Sequence, residues 1–399
     1  MTVINTANNQ SLAIGSSPSF VQTTLAALNP GIAYTGTWSG PFQFTTYESS
    51  TFQGASFTNN VLCATFDGIN STPTQASLLT LNLGTISILA NSAASTAGFF
   101  MTAANLTSFT ANSLTLVQGG MQVTFNGITS SAGFVIPALS YIGGAGAFIV
   151  TMNSFTGAFS YSNINFIGGQ MTLTLPLATS IVLDGVVFLA SQSNSGNMAS
   201  ATTFSMAALT TVSGGNFNFP VMSALTTLNL PNLATCSNAF QGLNAPLLTT
   251  FNMPSLISVG GAFNQWQLAS CTSFLVPSLQ TIGTNFNSMT APVLTTFNLP
   301  SIVSIGGAFA ITTVSLVTFS FGSTLKALLG NVTITGAALS QASVDGILVS
   351  LAALDGTGGT TSYNSHTVNL SGGTSSAPSA TGLAAKVILV ARSCTVTTN

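Results

Sequence analysis

Residues 248–263 read LTTFNMPSLISVGGAF, and residues 294–309 repeat this phrase as LTTFNLPSIVSIGGAF. Less perfect copies begin at Leu225 and Cys271, so the four starts at 225, 248, 271 and 294 are evenly spaced. A fixed period of about 20 to 50 residues is typical of a solenoid, in which each repeat forms one coil and only stacking buries its apolar side. Residues 225–321 therefore predict a solenoid.

The apolar positions within one repeat predict the path of one coil. In the last copy they are Leu294, Phe297, Leu299, Ile302 and Ile305. The step from Phe297 to Leu299 has the two-residue period of a strand with alternate side chains inside. Gly306 and Gly307 predict a bend with permissive backbone angles. We expect one coil to contain a strand, a corner, an irregular return and a bend, with Phe204, Phe251, Phe274 and Phe297 stacked inside as a ladder.

These phrases resemble a known repeat. SIGGAF at 304–309 and LTTFNLPS at 294–301 are similar to the BspA-type leucine-rich repeat of microbial surface proteins. The resemblance implies a leucine-rich-repeat-like β-solenoid with a binding or structural role rather than an enzymatic one. Near the end of the chain, VNLSGG at 368–373 and GLAAK at 382–386 resemble the C-terminal helix–strand module that follows such repeats in phage and bacterial surface proteins.

We predict a mainly β chain in three parts. Residues 1–75 fit the repeat poorly and favour a strand-rich N-terminal cap or an attachment segment, two roles that are compatible. Residues 76–325 are assigned to a solenoid of about ten coils. Residues 326–399 are assigned to a small α/β capping module with helices over 340–354 and 378–392 and strands over 367–370 and 394–398. Ser340 is the predicted N-cap of the first helix.

Charged residues are rare in this chain. Its 399 residues include 3 Lys plus Arg and 5 Asp plus Glu, for a net charge of −2, and Asp184 is the only charge between 70 and 325. The hydrophobic fraction of 46% is not that of a disordered chain. The absence of a basic patch argues against nucleic-acid binding, and no run of about 18 apolar residues predicts a membrane span. The low net charge favours association.

The chemistry-bearing residues are too few and scattered to predict catalysis. His366 is the sole histidine and lies in a Gly/Ser/Thr-rich loop, and neither a nucleophile elbow nor a Walker loop occurs. Cys236 and Cys271 occupy core slots of their repeats, so we expect them, like most buried cysteines, to act as small hydrophobes. With Cys63 and Cys394 elsewhere, no zinc-ligand cluster forms. We predict no catalytic residue, no cofactor and no metal.

Two candidate interaction surfaces follow from the sequence. The outward positions of the predicted strands form an uncharged face, here called the hydroxyl–amide face, whose candidate members are Thr203, Ser205, Thr227, Asn229, Thr250, Asn252, Thr296 and Asn298. The same reasoning adds Thr172 and Thr174. Because threonine is common on solvated sheet faces, this is either plain surface or a recognition surface for sugar, ice or another copy. The candidate assembly contact in the N-terminal segment consists of Trp38, Phe42, Phe44 and Tyr47.

Three functions remain open from the sequence. The first is a structural protein of an extracellular or viral assembly, such as a fibre, spike or filament subunit, whose partners are copies of itself or other assembly proteins. The second is a secreted cell-surface adhesin that binds a glycan or a host-surface ligand. The third is an ice-binding protein. Residues 1–9 lack the basic and apolar regions of a signal peptide, so we expect an extracellular or virion location reached by non-standard export or by lysis.

Overall fold

The computed structural model of the chain describes residues 2–5, 10–13, 32–33, 42–43, 54–56, 65–66, 69–71, 79–83, 88–89, 99–143, 147–191, 193–194, 196–219 and 221–399. The chain divides into two compact units, Met1–Ala201 and Thr202–Asn399. Each unit is built mainly from short parallel strands stacked coil upon coil. The predicted β-solenoid class is therefore confirmed.

Each coil of the first unit contributes one strand to each of three faces, which we number in chain order. The first face contains Gly54–Ser56, Thr80–Asn82, Ser108–Thr110, Phe134–Val135, Gly157–Ser160 and Ala178–Val182. The second face contains Thr65–Phe66, Ile88–Leu89, Leu116–Val117, Tyr141–Ile142, Phe166–Ile167 and Phe188–Leu189. The third face contains Phe42–Gln43, Ile69–Ser71, Phe99–Thr102, Met121–Thr124, Phe148–Thr151, Met171–Thr174 and Ser193–Asn194. A 3-10 turn, Ser131–Gly133, precedes one first-face strand.

The second unit repeats the same three faces. Its first face contains Thr203–Ser205, Thr227–Asn229, Thr250–Asn252, Ser273–Leu275, Thr296–Leu299 and Thr318–Phe321. Its second face contains Thr211–Val212, Thr235–Cys236, Ser258–Val259, Thr281–Ile282, Ser304–Ile305 and Ala327–Leu328. Its third face contains Phe217–Asn218, Phe240–Gln241, Phe263–Gln267, Phe286–Thr290, Phe309–Thr312, Val332–Thr335, Thr367–Asn369 and Thr395–Thr397. The expected irregular return is thus wrong, because that part of the coil forms strands on two faces.

The N-terminal region contains strands of two kinds. Thr2–Asn5 pairs antiparallel with both Gln10–Ala13 and Ile32–Ala33. Phe42–Gln43, in contrast, pairs in parallel with Ile69–Ser71, as coils do. Parallel pairing thus begins before residue 76, and the assignment of residues 1–75 to a cap or attachment segment stays a prediction.

Aromatic ladders fill the core of the second unit. On the first face, Phe251 and Phe274 pair in register with ring centroids 4.4 Å apart, and Phe274 lies 5.2 Å from Phe297. All three rings are buried, as is Phe204. The predicted inward register is confirmed, although Phe204 pairs with Leu228 and does not continue the stack of rings.

A second ladder, which the sequence analysis missed, follows the third face. Its rings are Phe217, Phe240, Phe263, Phe286 and Phe309, each at the start of its strand, and neighbouring centroids are separated by 5.0 to 5.4 Å. Trp266 is fully buried against Phe240 and Phe263, and its indole N–H has no hydrogen-bond partner. Stacked and tilted ring pairs of this kind add to the stabilisation that burial alone provides.

Hydroxyl groups at the corners bind one coil to the preceding one. The Oγ of Ser301 donates to the carbonyl of Pro277 at 2.7 Å, and the Oγ of Ser278 donates to the carbonyl of Pro254 at 2.6 Å. Proline ends the strand because it has no N–H to donate to the hydrogen-bond ladder between strands. The serine that follows it donates a hydrogen bond to the preceding coil instead. The recurring Pro-Ser pair of the repeat therefore links neighbouring coils through a side-chain hydrogen bond.

The glycines of the repeat are required by close approach rather than by backbone angle. A Cβ at Gly283 would lie 1.8 Å from the carbonyl oxygen of Gly260, and a Cβ at Gly306 would lie 2.0 Å from that of Gly283. Neither Gly283 nor Gly306 has a φ in the left-handed region. The expected reason, a bend with permissive angles, is therefore wrong for this column of glycines, where the coils touch backbone to backbone.

The C-terminal module ends the coil stack of the second unit with two helices, α1 (Gln341–Ala352) and α2 (Ala380–Ala391). Ser340 caps α1 as predicted, by accepting a hydrogen bond from the Ser343 N–H. The Oγ of Ser343 accepts from the Phe319 N–H and donates to the Val317 carbonyl, so α1 satisfies backbone groups of the last first-face strand and of the residue before it. An exposed strand edge is a template for unwanted pairing, and α1 covers part of this one.

We expect Phe274→Ala to lower the free energy of unfolding by roughly 3–5 kcal/mol, because it removes a buried ring and leaves a cavity between coils. The matched control is Leu275→Ala, one position further on the same strand, whose side chain is 47% exposed and which should change stability by less than about 0.5 kcal/mol. Urea unfolding of both variants measures the difference. Equal losses would contradict the inward register.

A glycine pair tests the close approach of coils. Gly283→Ala should destabilise the protein by more than about 1 kcal/mol, since its Cβ meets a carbonyl oxygen that cannot move away freely. Gly346→Ala is the control, because this exposed position in α1 has no atom within 4 Å of a new Cβ and alanine favours helix by about 0.5–1 kcal/mol. Thermal unfolding should shift in opposite directions for the two variants; a shift in the same direction would refute this explanation.

Candidate interaction faces

The hydroxyl–amide face lies on the outward side of the first face of the second unit. Thr227, Thr250, Asn252 and Thr296 are exposed there. Thr203, Asn229 and Asn298 are half-buried. The alternation of inward Phe and outward Thr or Asn along each short strand brings these side chains to one surface, as expected from the two-residue strand period.

Three residues depart from that expectation. Ser205 is only 4% exposed, because the Asn229 amide donates to its hydroxyl at 2.9 Å and covers it. Thr172 and Thr174 belong to Met171–Thr174 on the third face of the first unit, so their assignment to the hydroxyl–amide face is wrong. The repeat length varies before residue 200, so aligning Thr172 and Thr174 with the repeats of the second unit assigned them to the wrong strand.

Part of the polar capacity of the hydroxyl–amide face is used between its own coils. Besides the bond from Asn229 to Ser205, the Ser320 hydroxyl donates to the Asn298 side-chain oxygen at 2.8 Å. Leu275, 47% exposed, stands in register with Asn252 and interrupts the polar row. The accessible hydrogen-bonding groups therefore concentrate at Thr227, Thr250, Asn252 and Thr296.

The third face of the first unit carries a row of threonines that sequence reasoning did not identify. Thr102, Thr124, Thr151 and Thr174 pair in register on successive strands. The neighbouring row is irregular, since it contains Phe100, Gln122, Ile149 and Thr172. Because only one of the two rows is regular, the outer surface of these strands does not present hydroxyl groups in a flat, two-dimensional array.

The second face of the first unit carries an external aromatic stack, also missed. Tyr141, Phe166 and Phe188 pair in register, with centroid separations of 4.6 and 5.5 Å and interplanar angles of 5° and 7°. Rings stacked on one another along the coil axis turn their edges outward, so their flat faces are covered by each other. The signal in the sequence is an aromatic residue before Ile or Leu, but its three occurrences are unevenly spaced and are hard to find without the structure.

The candidate assembly contact lies almost entirely outside the described residues. Trp38, Phe44 and Tyr47 are not among them, and for Phe42 only its place in the strand Phe42–Gln43 is described. The proposal that this segment contacts a neighbour therefore stays a prediction.

The described titratable groups are scattered along the chain, some buried, such as Cys236 and Cys271, and some exposed, such as Lys326 and Asp355. Cys236 and Cys271 are buried, and burial raises the pKa of both thiols. The His366 ring packs against Tyr363, with centroids 4.9 Å apart. Among the residues that the structure describes, no three His, Cys, Asp or Glu side chains are placed to hold a metal ion. A thiol with a raised pKa is a poor nucleophile at neutral pH.

Within the same part of the chain, neither helix is long and apolar enough to cross a membrane. Comparisons of the chain with protein-family models, with curated proteins and with solved structures found no match. The resemblance to BspA-type repeats therefore remains a prediction from the quoted phrases.

We expect the stability of the protein to fall as pH rises above about 8.5, the ordinary pKa of a cysteine in an unfolded chain. Because burial raises the folded-state pKa of Cys236 above that value, the folded state keeps its proton while the unfolded state loses one, so the stabilisation is complete below that pH and is lost above it. Urea midpoints between pH 7 and 10 measure the effect.

The control for this pH dependence is Cys236→Ala. It should be less stable at every pH because of the lost packing, but its midpoint should decline less steeply between pH 8.5 and 10. Tyr161 and Tyr363, whose pKa values are also raised by burial, add a further decline that begins near pH 10 in both proteins. Parallel profiles for the two proteins below pH 10 would contradict the assignment to Cys236.

Proposed function

We propose that this protein is a non-catalytic structural subunit of an extracellular or viral assembly, such as a fibre, spike or filament, and that it associates with copies of itself. The observation that carries the proposal is the near absence of charge on a well-packed solenoid. Between Thr202 and Leu325 the chain has no ionisable Asp, Glu, Lys, Arg or His at all. Two such surfaces can meet without desolvating an ion, which is the costly step in burying charged surface.

The described polar groups support a structural role more than a catalytic one. Hydroxyls and amides bind carbonyls and side chains of the preceding coil, as in Ser301 to Pro277 and Asn229 to Ser205. Cys236 and Cys271 are buried, and burial raises the pKa of both thiols. Catalysis needs titratable groups held together near a reacting atom, and among the described residues no three His, Cys, Asp or Glu side chains cluster to hold a metal ion.

A glycan-binding adhesin is the second candidate. The exposed Thr250, Asn252 and Thr296 favour it, since uncharged hydroxyl and amide groups are suitable partners for sugar hydroxyls. Among the described residues, the regular threonine row of the first unit favours the ice-binding alternative, and the irregular neighbouring row is unfavourable to it.

The test of assembly is analytical ultracentrifugation of the full chain over a range of concentrations at low and high salt. We expect concentration-dependent oligomers whose stability barely changes with salt, because few charges are available to be screened. A triple variant, Thr227→Lys, Thr250→Lys and Thr296→Lys, introduces charge at exposed positions. If the hydroxyl–amide face meets copies, this variant should associate weakly at low salt and recover at high salt, whereas Thr→Gln at the same positions should behave as wild type.

A wild-type chain that stays monomeric at high concentration in both salts would overturn the structural proposal. Binding of neutral oligosaccharides by that monomer, lost in a Thr250→Ala, Asn252→Ala, Thr296→Ala variant, would establish the adhesin instead. Thermal hysteresis of freezing without either behaviour would favour the ice-binding alternative.

A further inference from the structure

The helix α2 has an outer surface that does not suit contact with water. Its inward side buries Gly382, Ala385 and Leu389. On the opposite side Val387 is 68% exposed, Val390 52% and Leu383 50%. A surface helix normally turns polar or charged residues outward, and here the outward residues are among the most apolar of the module.

The apolar surface of α2 is wide and continuous. Its members, called the α2 outer face, are Ala380, Leu383, Ala384, Val387, Ile388, Val390 and Ala391, all of them exposed. At 3.6 residues per turn these positions cover roughly 160° of the helix circumference. The seam between two coiled-coil helices is narrower than this, so a single neighbouring helix would leave part of the α2 outer face in water.

Two cations, Lys386 of α2 and Arg392 at its C-cap, flank this face and bind groups of the module. The ammonium of Lys386, a half-buried residue, donates to the Thr398 hydroxyl at 3.2 Å, and the guanidinium of Arg392 donates to the Leu354 carbonyl at 2.8 Å. A helix that binds an anionic lipid surface carries Lys or Arg beside its apolar face and aromatic residues within it. The α2 outer face contains no aromatic residue, and the Lys386 and Arg392 beside it are bound to groups of the module itself, so its chemistry does not favour a membrane.

The position of α2 is set by contacts on its inner side. The Asp345 carboxylate of α1 accepts from the Ser379 N–H at 2.9 Å, at the N-terminus of α2. A Cβ at Gly382 would lie 2.0 Å from that same carboxylate oxygen, so glycine permits the close approach. The α2 outer face therefore lies on a helix that α1 already holds in place. Docking to it would cost little conformational entropy, because the helix does not have to become ordered on binding.

The size of the α2 outer face limits what can cover it. A helix of 12 residues is about 18 Å long and about 10 Å across, so its outer half presents roughly 280 Å². A stable pair of proteins usually buries about 800 Å² on each partner. Contact through this face alone would be weak, but several weak contacts between subunits of one assembly reinforce each other through effective concentration.

We propose that the α2 outer face is an interface between copies of this chain, in which α2 of each copy packs against α2 of its neighbours. This inference rests on the proposed structural function and names the contact that assembly uses. A neutral apolar face is complementary to an identical one, because neither side has an ion to desolvate and neither has a charge that would recognise a different partner.

The central test is Val387→Lys in the full chain. Lysine favours helix more than valine does and position 387 is exposed, so circular dichroism and thermal unfolding should be unchanged. We expect the concentration of half-association to rise at least about tenfold, since burying an unpaired ammonium at the centre of the face is unfavourable. The matched control is Thr381→Lys, which puts the same charge on an exposed residue of the same helix outside the face and should associate as wild type.

Cross-linking gives a direct second measurement. In a Cys63→Ser background, Val387→Cys should form disulfide-linked chains under mild oxidation, whereas Thr381→Cys should not, since a disulfide requires Cα atoms within about 7 Å. The described native cysteines are buried and should not compete. Absence of cross-linking at 387 in oligomers that form normally would overturn the α2 interface.

The outcomes separate this inference from the proposed function. If the Val387→Lys variant assembles like wild type, the α2 interface is overturned, but self-assembly through another surface remains the explanation. A wild-type chain that never associates overturns both. Flotation of a monomeric wild type with phosphatidylcholine–phosphatidylglycerol vesicles, lost in Val387→Lys, would assign the face to a lipid surface and refute the contact between copies.

Discussion

The structure depends on the in-register stacking of coils. Each residue of a regular coil lies above its equivalent in the next coil, at the strand spacing of about 4.8 Å, as Phe263 lies over Phe240 and Thr281 over Ser258. A charged residue kept in every repeat would therefore stand about 4.8 Å from its own copies. Two like charges at that distance repel by about 0.9 kcal/mol in water and roughly 3.5 kcal/mol at an effective dielectric constant of 20. This repulsion gives a physical reason for the missing charges of residues 202–325.

The same stacking explains which features the sequence could predict. The Phe251, Phe274 and Phe297 ladder is visible because strand alternation and the constant repeat length coincide there. The helices α1 and α2 are visible because cap residues and apolar spacing are local signals. The second-face strands, such as Thr235–Cys236 and Ser258–Val259, are too short for alternation to appear in a sequence. The third-face ladder was missed because Phe217, Phe263 and Phe309 follow glycine pairs that suggested only a bend.

The candidate surfaces were harder to predict than the core, since exposure depends on neighbouring side chains. Ser205 has an outward position but is covered by the Asn229 amide. Thr172 was placed on the wrong face because coil length varies in the first unit. The outer surface of α2 could have been noticed, as LAAKVILVA at 383–391 contains one charge, but the sequence alone does not tell whether such a helix is covered by its own chain.

In the second unit the third-face strands begin at a constant interval along the chain from Phe217 to Val332. After each interval the chain reaches the equivalent position on the next coil, where it packs between coils with the same kinds of side chain. A gene that gains or loses one interval by recombination would move all later coils by one step without creating a new contact type. The number of coils can thus vary during evolution as an independent property, while the C-terminal module still meets a coil that it fits.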